Sequence, residues 1–309
     1  MSSIKDIKIL LGPSTFSDKD PAPMERLKES GAIIIDNPYK RKLTKDELLK
    51  LLGRDVFGLI AGLEPLDREV MEKSGLKVIS RCGSGMSNVD QEAAEEFGIK
   101  VYNTPFGPTR AVAELCFMNM LALLRMVPRM NQDLHEGKWN KKTGFQVQGK
   151  AVAIIGFGKI GRCLAEMLVP FKAKIIAVDP ISKQTMDGVE FQTLEQALSN
   201  ADIIALHSSG EDPILTRDAF KLMKKGVYIL NAARGGLIDE GELIKALDSG
   251  QVAGAWLDTF VREPYDGPLT GYPQVILTPH AGSYTVECRR EMEMESVDNL
   301  IQGFKELGK

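Results

Sequence analysis

The run Val152-Ala153-Ile154-Ile155-Gly156-Phe157-Gly158-Lys159-Ile160-Gly161 decides how the rest of the chain is read. Four apolar residues form a buried strand, and three glycines spaced G-x-G-x-x-G turn it into a helix. Gly156 permits the sharp turn, Gly158 lets the backbone approach a pyrophosphate, and Gly161 lets the helix pack against the strand. The amides of Lys159 and Ile160 would then face the phosphates from the helix N-terminus. Ile160, Leu164 and Leu168 share one face of that helix, and Pro170 falls where it should stop. The next apolar run, Lys174–Val178, ends on Asp179. An acidic residue there, about 20 positions past the glycines, suits ribose hydroxyls and repels a 2'-phosphate. NAD is therefore expected rather than NADP, with Lys183 nearby tempering the preference. The bland alternative is a strand-to-helix turn in another α/β protein, with Asp179 only a helix cap.

Working outward, apolar runs alternate with helical patterns along the whole chain, the mark of stacked βα units and parallel sheets. Six runs surround the glycine turn: Ala151–Ile155, Lys174–Val178, Asp202–Leu206, Val227–Leu230, Gly254–Leu257 and Val275–Leu277. They match a doubly wound dinucleotide-binding domain. Before them come Ile7–Leu11, Ala32–Ile35, Val56–Ile60, Lys77–Ser80 and Lys100–Tyr102. One intervening helix starts at Thr44 with Glu47 in capping-box spacing, and another runs from Leu66 to a stop at Gly75. Between the two series, Thr109 to His135 reads as one long helical stretch, kinked at Pro128 and ended by Gly137. Its apolar residues cover more than one face, so it is expected between domains or subunits. Val286 to Leu307 reads as a final helix.

A length of 309 residues allows two cores. The net charge of -3 offers no general attraction to nucleic acid or an anionic membrane. Cys82, Cys116, Cys163 and Cys288 form no CxxC pair, which argues against a disulfide framework or a metal site and fits a reducing cytoplasm. The start MSSIKDIKILLG lacks a signal peptide's apolar stretch, and no apolar run approaches the roughly 20 residues of a membrane span.

Histidine is scarce: His135, His207 and His280. His135 ends the long helical stretch and reads as solvated. His207 and His280 follow apolar runs, at the carboxyl ends of strands, where open α/β sheets bind ligands. Two other strand ends carry Arg234 and Asp258, with Glu263 five residues further on. An arginine can hold a carboxylate and polarise its carbonyl. A histidine can protonate a forming alkoxide, with a glutamate fixing its tautomer. Each residue alone reads as a cap or a surface ion pair; at successive strand ends they read together as a hydride-transfer site.

The chain resembles the D-isomer-specific 2-hydroxyacid dehydrogenases, close to the phosphoglycerate-dehydrogenase-like branch. The resemblance rests on Ser80-Arg-Cys-Gly-Ser-Gly-Met-Ser-Asn-Val-Asp90, Asn103-Thr-Pro, Ala111-Val-Ala-Glu114, Gly156 to Gly161, Asn231-Ala-Ala-Arg-Gly-Gly-Leu-Ile-Asp-Glu240, Glu263-Pro264 and Thr278-Pro-His-Ala-Gly282. It implies two Rossmann-like or flavodoxin-like parallel-sheet domains, the NAD domain inserted into a discontinuous substrate domain. The expected bounds are 1–102 and 283–309 for the substrate domain and 103–282 for the NAD domain. It implies that Arg234 binds the substrate's carboxylate and carbonyl, that His280 is the acid/base with Glu263 as partner, and that Cys82, Gly83, Ser84 and Gly85 also bind substrate. Asp258 would contact the nicotinamide carboxamide, His207 and Ser208 the adenosine side, and Ala232 and Ala233 the nicotinamide side, with Gly282 beside them. It also implies a homodimer through the 109–135 stretch, and leaves 3-phosphoglycerate among the candidate substrates. An NAD(H)-sensing corepressor of the same family is the alternative function. Two departures stand out: Ser208-Ser209-Gly210-Glu211-Asp212 replaces a Pro-containing segment, and Ala61-Gly62 stands where phosphate-binding members offer an arginine, leaving Arg81 and Arg110 as substitutes.

Overall fold

The computed structural model describes residues 4–181 and 185–308, so Lys183 lies outside the described residues. The chain divides into two compact units. One runs through Pro108 and resumes at Ser283; the other is Thr109–Gly282.

The first unit alternates β1 (Lys8–Leu11), α1 (Ala22–Glu29), β2 (Ile33–Ile35), α2 (Lys45–Leu52), β3 (Gly58–Ala61), α3 (Arg68–Lys73), β4 (Val78–Arg81), α4 (Gln91–Glu96) and β5 (Lys100–Asn103). All neighbouring strands are parallel, in the order β2-β1-β3-β4-β5, the flavodoxin-like order. Thr44 and Glu47 form a complete capping box on α2. Gly75 is not the helix stop that its position predicts. α3 ends at Lys73, and a Cβ on Gly75 would stand 2.4 Å from the Arg54 carbonyl oxygen. Close backbone approach, rather than capping, is what demands glycine there.

The second unit opens with α5 (Pro108–Leu124) and α6 (Val127–His135), bent by 65°. The break falls at Met126, in left-handed conformation, and Pro128 sits in the first turn of α6, where its missing N–H costs nothing. Then follow β6 (Ala151–Ile155), α7 (Lys159–Leu168), β7 (Lys174–Val178), β8 (Val189–Phe191), α8 (Leu194–Asn200), β9 (Ile203–Leu206), α9 (Arg217–Leu222), β10 (Val227–Asn231), α10 (Glu240–Asp248), β11 (Val252–Leu257) and β12 (Val275–Leu277). The sheet has seven parallel strands, ordered β12-β11-β10-β9-β6-β7-β8, rather than the six expected. The additional strand, β8, is a three-residue edge with little burial and Glu190 at its centre, so it has no apolar run to announce it. One face buries Leu198, Phe220, Leu243 and Leu247 from α8, α9 and α10. The other buries Cys116, Met120 and Leu124 of α5 with Leu164 and Leu168 of α7 against Val152, Ile154 and Trp256.

The chain then returns to the first unit through α11 (Val286–Glu306), capped by Thr285. Cys288, Met292, Ser296, Leu300 and Phe304 form an i, i+4 row, all buried. Fully burying each of the large apolar members stabilises by about 1.5–3 kcal/mol. α11 runs antiparallel to the strands. A Cβ on Gly303 would meet Val78 at the start of β4, and one on Gly107, just past β5, would meet Met292 and the Cys288 carbonyl. No single helix among the described residues is long and apolar enough to cross a membrane.

Candidate active site

The glycine turn carries three different requirements. Gly156 has φ +95°, and a Cβ there would stand 2.4 Å from the Ser208 nitrogen. On Gly161 a Cβ would stand 2.3 Å from the Gly156 carbonyl oxygen, so this glycine sets the closeness of α7 to the turn. At Gly158 nothing lies within 4 Å of the Cβ position: the space beside the N-cap of α7 is open, and no side chain caps the helix. That leaves the amides at Lys159 and Ile160 at an uncapped, partly positive helix end, suited to a pyrophosphate. Asp179 closes the turn from the end of β7. One carboxylate oxygen accepts from Phe157 N (2.8 Å) and the other from Ile181 N (2.8 Å). This is an open cradle with an acid at its rim, and it fits NAD.

His207 follows β9, its backbone N–H donating to the Ile155 carbonyl. Both ring nitrogens are inaccessible and have no hydrogen-bond partner among the described residues. Burial lowers its pKa to about 4, so the ring is neutral. Ser208 Oγ donates to the Ile155 carbonyl (3.1 Å).

At the end of β10, buried Asn231 organises the loop that presents Ala232, Ala233 and Arg234. Its Oδ1 accepts from Ala233 N (3.0 Å) and its Nδ2 donates to the Arg234 carbonyl (2.8 Å). Arg234 Nη1 donates to the Ala233 carbonyl (2.7 Å), and no carboxylate of the described residues pairs with the guanidinium. Gly235 lets this loop press against the next one: a Cβ would lie 2.1 Å from Phe260 C.

Asp258, at the end of β11, is buried and fully engaged. Oδ1 accepts from Thr278 Oγ1 (2.5 Å) and Ala281 N (2.8 Å), and Oδ2 from Gly282 N (2.8 Å). Thr278 Oγ1 in turn accepts from Trp256 Nε1 (3.0 Å). Between Thr278 and Ala281 the chain passes through His280 in left-handed conformation, φ +52°. That backbone costs a non-glycine residue roughly 1–2 kcal/mol. The Asp258 bonds on either side hold it and leave the imidazole 42% exposed. His280 Nδ1 lies 3.0 and 3.2 Å from the two oxygens of Glu263, and Glu263 Oε1 also accepts from Phe260 N (3.1 Å). The sequence alone assigns no role to Asn231, Thr278 or Trp256. Asn231 and Thr278 lie inside the strand-end motifs quoted above, which was the available signal; buried Trp256 had none.

In the first unit, the Cys82–Gly85 stretch follows β4. Cys82 is buried, which pushes its thiol up to about 11. Gly83 has φ +142°, with its N–H donating to Thr104 Oγ1 (2.7 Å) and its carbonyl accepting from Thr104 N (3.0 Å). Its amide is therefore committed within the chain, whereas those of Ser84 and Gly85 have no partner among the described residues. The same two bonds tie Thr104 to the first unit, so the break in the chain follows Pro108 rather than residue 102. Of the two arginines considered as anion ligands, Arg110 pairs with Glu114 (2.6 Å) and Arg81 Nη1 donates to the Cys82 carbonyl (2.9 Å).

A doubly wound sheet with this glycine turn, and with His–Glu, Arg and Asp at one edge, is that of an NAD-dependent dehydrogenase. Residues 117–282, more than half of the chain, match the model of the NAD-binding domain of the D-isomer specific 2-hydroxyacid dehydrogenases. A hydroxypyruvate reductase of Thermotoga maritima is 38% identical over 276 residues, 86% of this chain and 89% of that protein. The D-3-phosphoglycerate dehydrogenase of Sus scrofa is 37% identical over 96% of this chain, which spans 57% of that longer protein. A glyoxylate reductase structure from Paecilomyes thermophila superposes with a TM-score of 0.85 at 29% identity, covering 96% of this chain and 94% of that one. The chain belongs to the D-isomer specific 2-hydroxyacid dehydrogenases.

Proposed function

We propose that the protein interconverts a 2-oxo acid and the corresponding D-2-hydroxy acid, with His280 as the acid/base. The observation that carries this reading is the His280–Glu263 contact. A carboxylate on Nδ1 fixes the proton there and leaves Nε2 to exchange a proton with the substrate oxygen. Bound NADH supplies the hydride that goes to the 2-oxo carbon. As the carbonyl π bond breaks, His280 gives its Nε2 proton to the oxygen and is left neutral. Arg234, with no carboxylate partner among the described residues, receives the substrate carboxylate and carbonyl. Asp258 stands on the nicotinamide carboxamide side, its carboxylate held by Thr278 and the amides of Ala281 and Gly282, with Ala232, Ala233 and Gly282 bordering the same side. His207 and Ser208 line the adenosine side. Cys82 to Gly85 form the substrate side, with Ser84 and Gly85 offering their amides to an anion.

In this reading Thr109–Gly282 is the cofactor domain, inserted into a substrate domain made of the other two segments. The test is NADH absorbance with a panel of 2-oxo acids, followed by oxidation of the matching D- and L-hydroxy acids. Reduction with D-specific reversal is expected; L-specific reversal, or no turnover, would overturn it. The same reading makes the protein a homodimer through α5 and α6. A concavity of about 400 Å³ lined by Met118, Leu121, Ala122, Arg125, Val127 and Met130 supports this, as do exposed Met118, Val127 and Leu134. A solution mass of twice 34.0 kDa is expected. Four unpaired cysteines suit a reducing compartment such as the cytoplasm.

A further inference from the structure

Trp256, in β11, is the largest side chain wholly buried among the described residues, set in the core that packs α5 and α7 against the sheet. β11 pairs with β12 at Trp256–Ile276 and Leu257–Leu277, and the ladder continues one residue further, Thr278 N donating to the Leu257 carbonyl (3.1 Å). Side chains alternate across a strand, so Trp256 and Asp258 face the same side of the sheet as Ile276 and Thr278. The Thr278 hydroxyl stands between the two. It accepts from Trp256 Nε1 (3.0 Å) and donates to Asp258 Oδ1 (2.5 Å).

The two ends fix the direction of this chain of bonds. An indole N–H only donates, and a hydroxyl has one proton to give. With Trp256 donating to it, Thr278 gives its own proton to the Asp258 carboxylate. That carboxylate also accepts from Ala281 N and Gly282 N (both 2.8 Å), and His280 N donates to the Thr278 carbonyl (2.9 Å). The backbone N–H groups of His280, Ala281 and Gly282 are thus all held by Thr278 and Asp258. A buried indole needs an acceptor for its N–H, and any core carbonyl would satisfy it. Here the acceptor is the hydroxyl of the residue that anchors His280, whose left-handed backbone (φ +52°) persists only where its surroundings hold it.

We infer that Thr278 and, through it, Trp256 are positioning residues for the acid/base: they hold the 280–282 backbone so that His280 Nε2 meets the substrate oxygen. The inference rests on the assignment of His280 above. Thr278→Val keeps the shape and removes the hydroxyl. It is expected to lower kcat for 2-oxo acid reduction by about 10–100-fold with KM for the acid unchanged, the mark of a misplaced reacting group. The solvent deuterium isotope effect on kcat should rise, since proton delivery from a misaligned ring becomes the slower event. The indole N–H resonance of buried Trp256, distinct from that of exposed Trp139, should move upfield as its acceptor is lost. Thr278→Ser should keep kcat near wild type. Trp256→Phe should lower kcat in the same direction but less, and should add little to Thr278→Val, because one chain of bonds carries both effects. Wild-type kcat and isotope effect in Thr278→Val, an equal loss in Thr278→Ser, or a change confined to KM overturns the positioning role. If circular dichroism shows Thr278→Val unfolded, Trp256→Phe decides, and wild-type kcat and isotope effect there overturn it. Near-normal turnover of His280→Ala would instead remove the acid/base assignment itself.

Discussion

His207 and His280 stand at the carboxyl ends of two strands of one sheet, β9 and β12, and there the likeness stops. His280 stands partly exposed on a left-handed backbone, with a carboxylate on one ring nitrogen. His207 has both nitrogens buried and unpartnered, and is held neutral. A strand end brings a residue to the ligand-binding edge; its surroundings decide whether it can exchange a proton there. A ring that must stay neutral near pH 7 suits contact with an uncharged part of a ligand. A ring that has a carboxylate partner and open access suits acid/base work.

The largest effect should come from removing the exposed ring. His280→Ala is expected to lower kcat for 2-oxo acid reduction by about 10²–10⁴-fold while NADH binding, read by fluorescence titration, persists. Near-normal turnover would erase the distinction between the two histidines. The second test bears on His207. Its folded-state pKa of about 4 lies below the ordinary histidine value of 6.5, so its contribution to stability is fully present above about pH 6.5 and is lost as pH falls toward 4. That loss is about 3 kcal/mol at most. Urea midpoints between pH 7 and 4 should therefore fall more steeply in wild type than in His207→Gln, and equal slopes would show a ring that protonates freely. The smallest effect is expected from Glu263→Gln, which keeps a hydrogen-bond acceptor on Nδ1 but removes the charge. It should lower kcat by about tenfold and shift the pH profile; an unmoved profile would mean that Glu263 only packs against the ring.

Much of this was legible in the residues. The glycine spacing, the strand ending on Asp179, and the scarcity of histidine all act locally, within one turn or one strand. The αL break at Met126 was not legible, because Pro128 is the stronger local signal and yet fits the first turn of a new helix. Nor was β8, whose pairing with β7 needs backbone hydrogen bonds and no apolar face. Gly83 read as part of an anion-binding backbone, but its amide is taken by Thr104, a contact across 21 positions that no spacing rule reports.

The sequence by itself determined the kind of sheet, the dinucleotide turn and the identity of the residues at the strand ends. These follow from apolar periodicity and from the conformations that glycine alone tolerates. Only the tertiary structure decided what each of those residues has around it. Thr278 reaches Asp258, and Trp256 reaches Thr278, because β11 lies beside β12. His207 stays neutral because its ring nitrogens are shut off from water. Strand order sets such neighbours, and it comes from packing the whole chain rather than from any stretch of it.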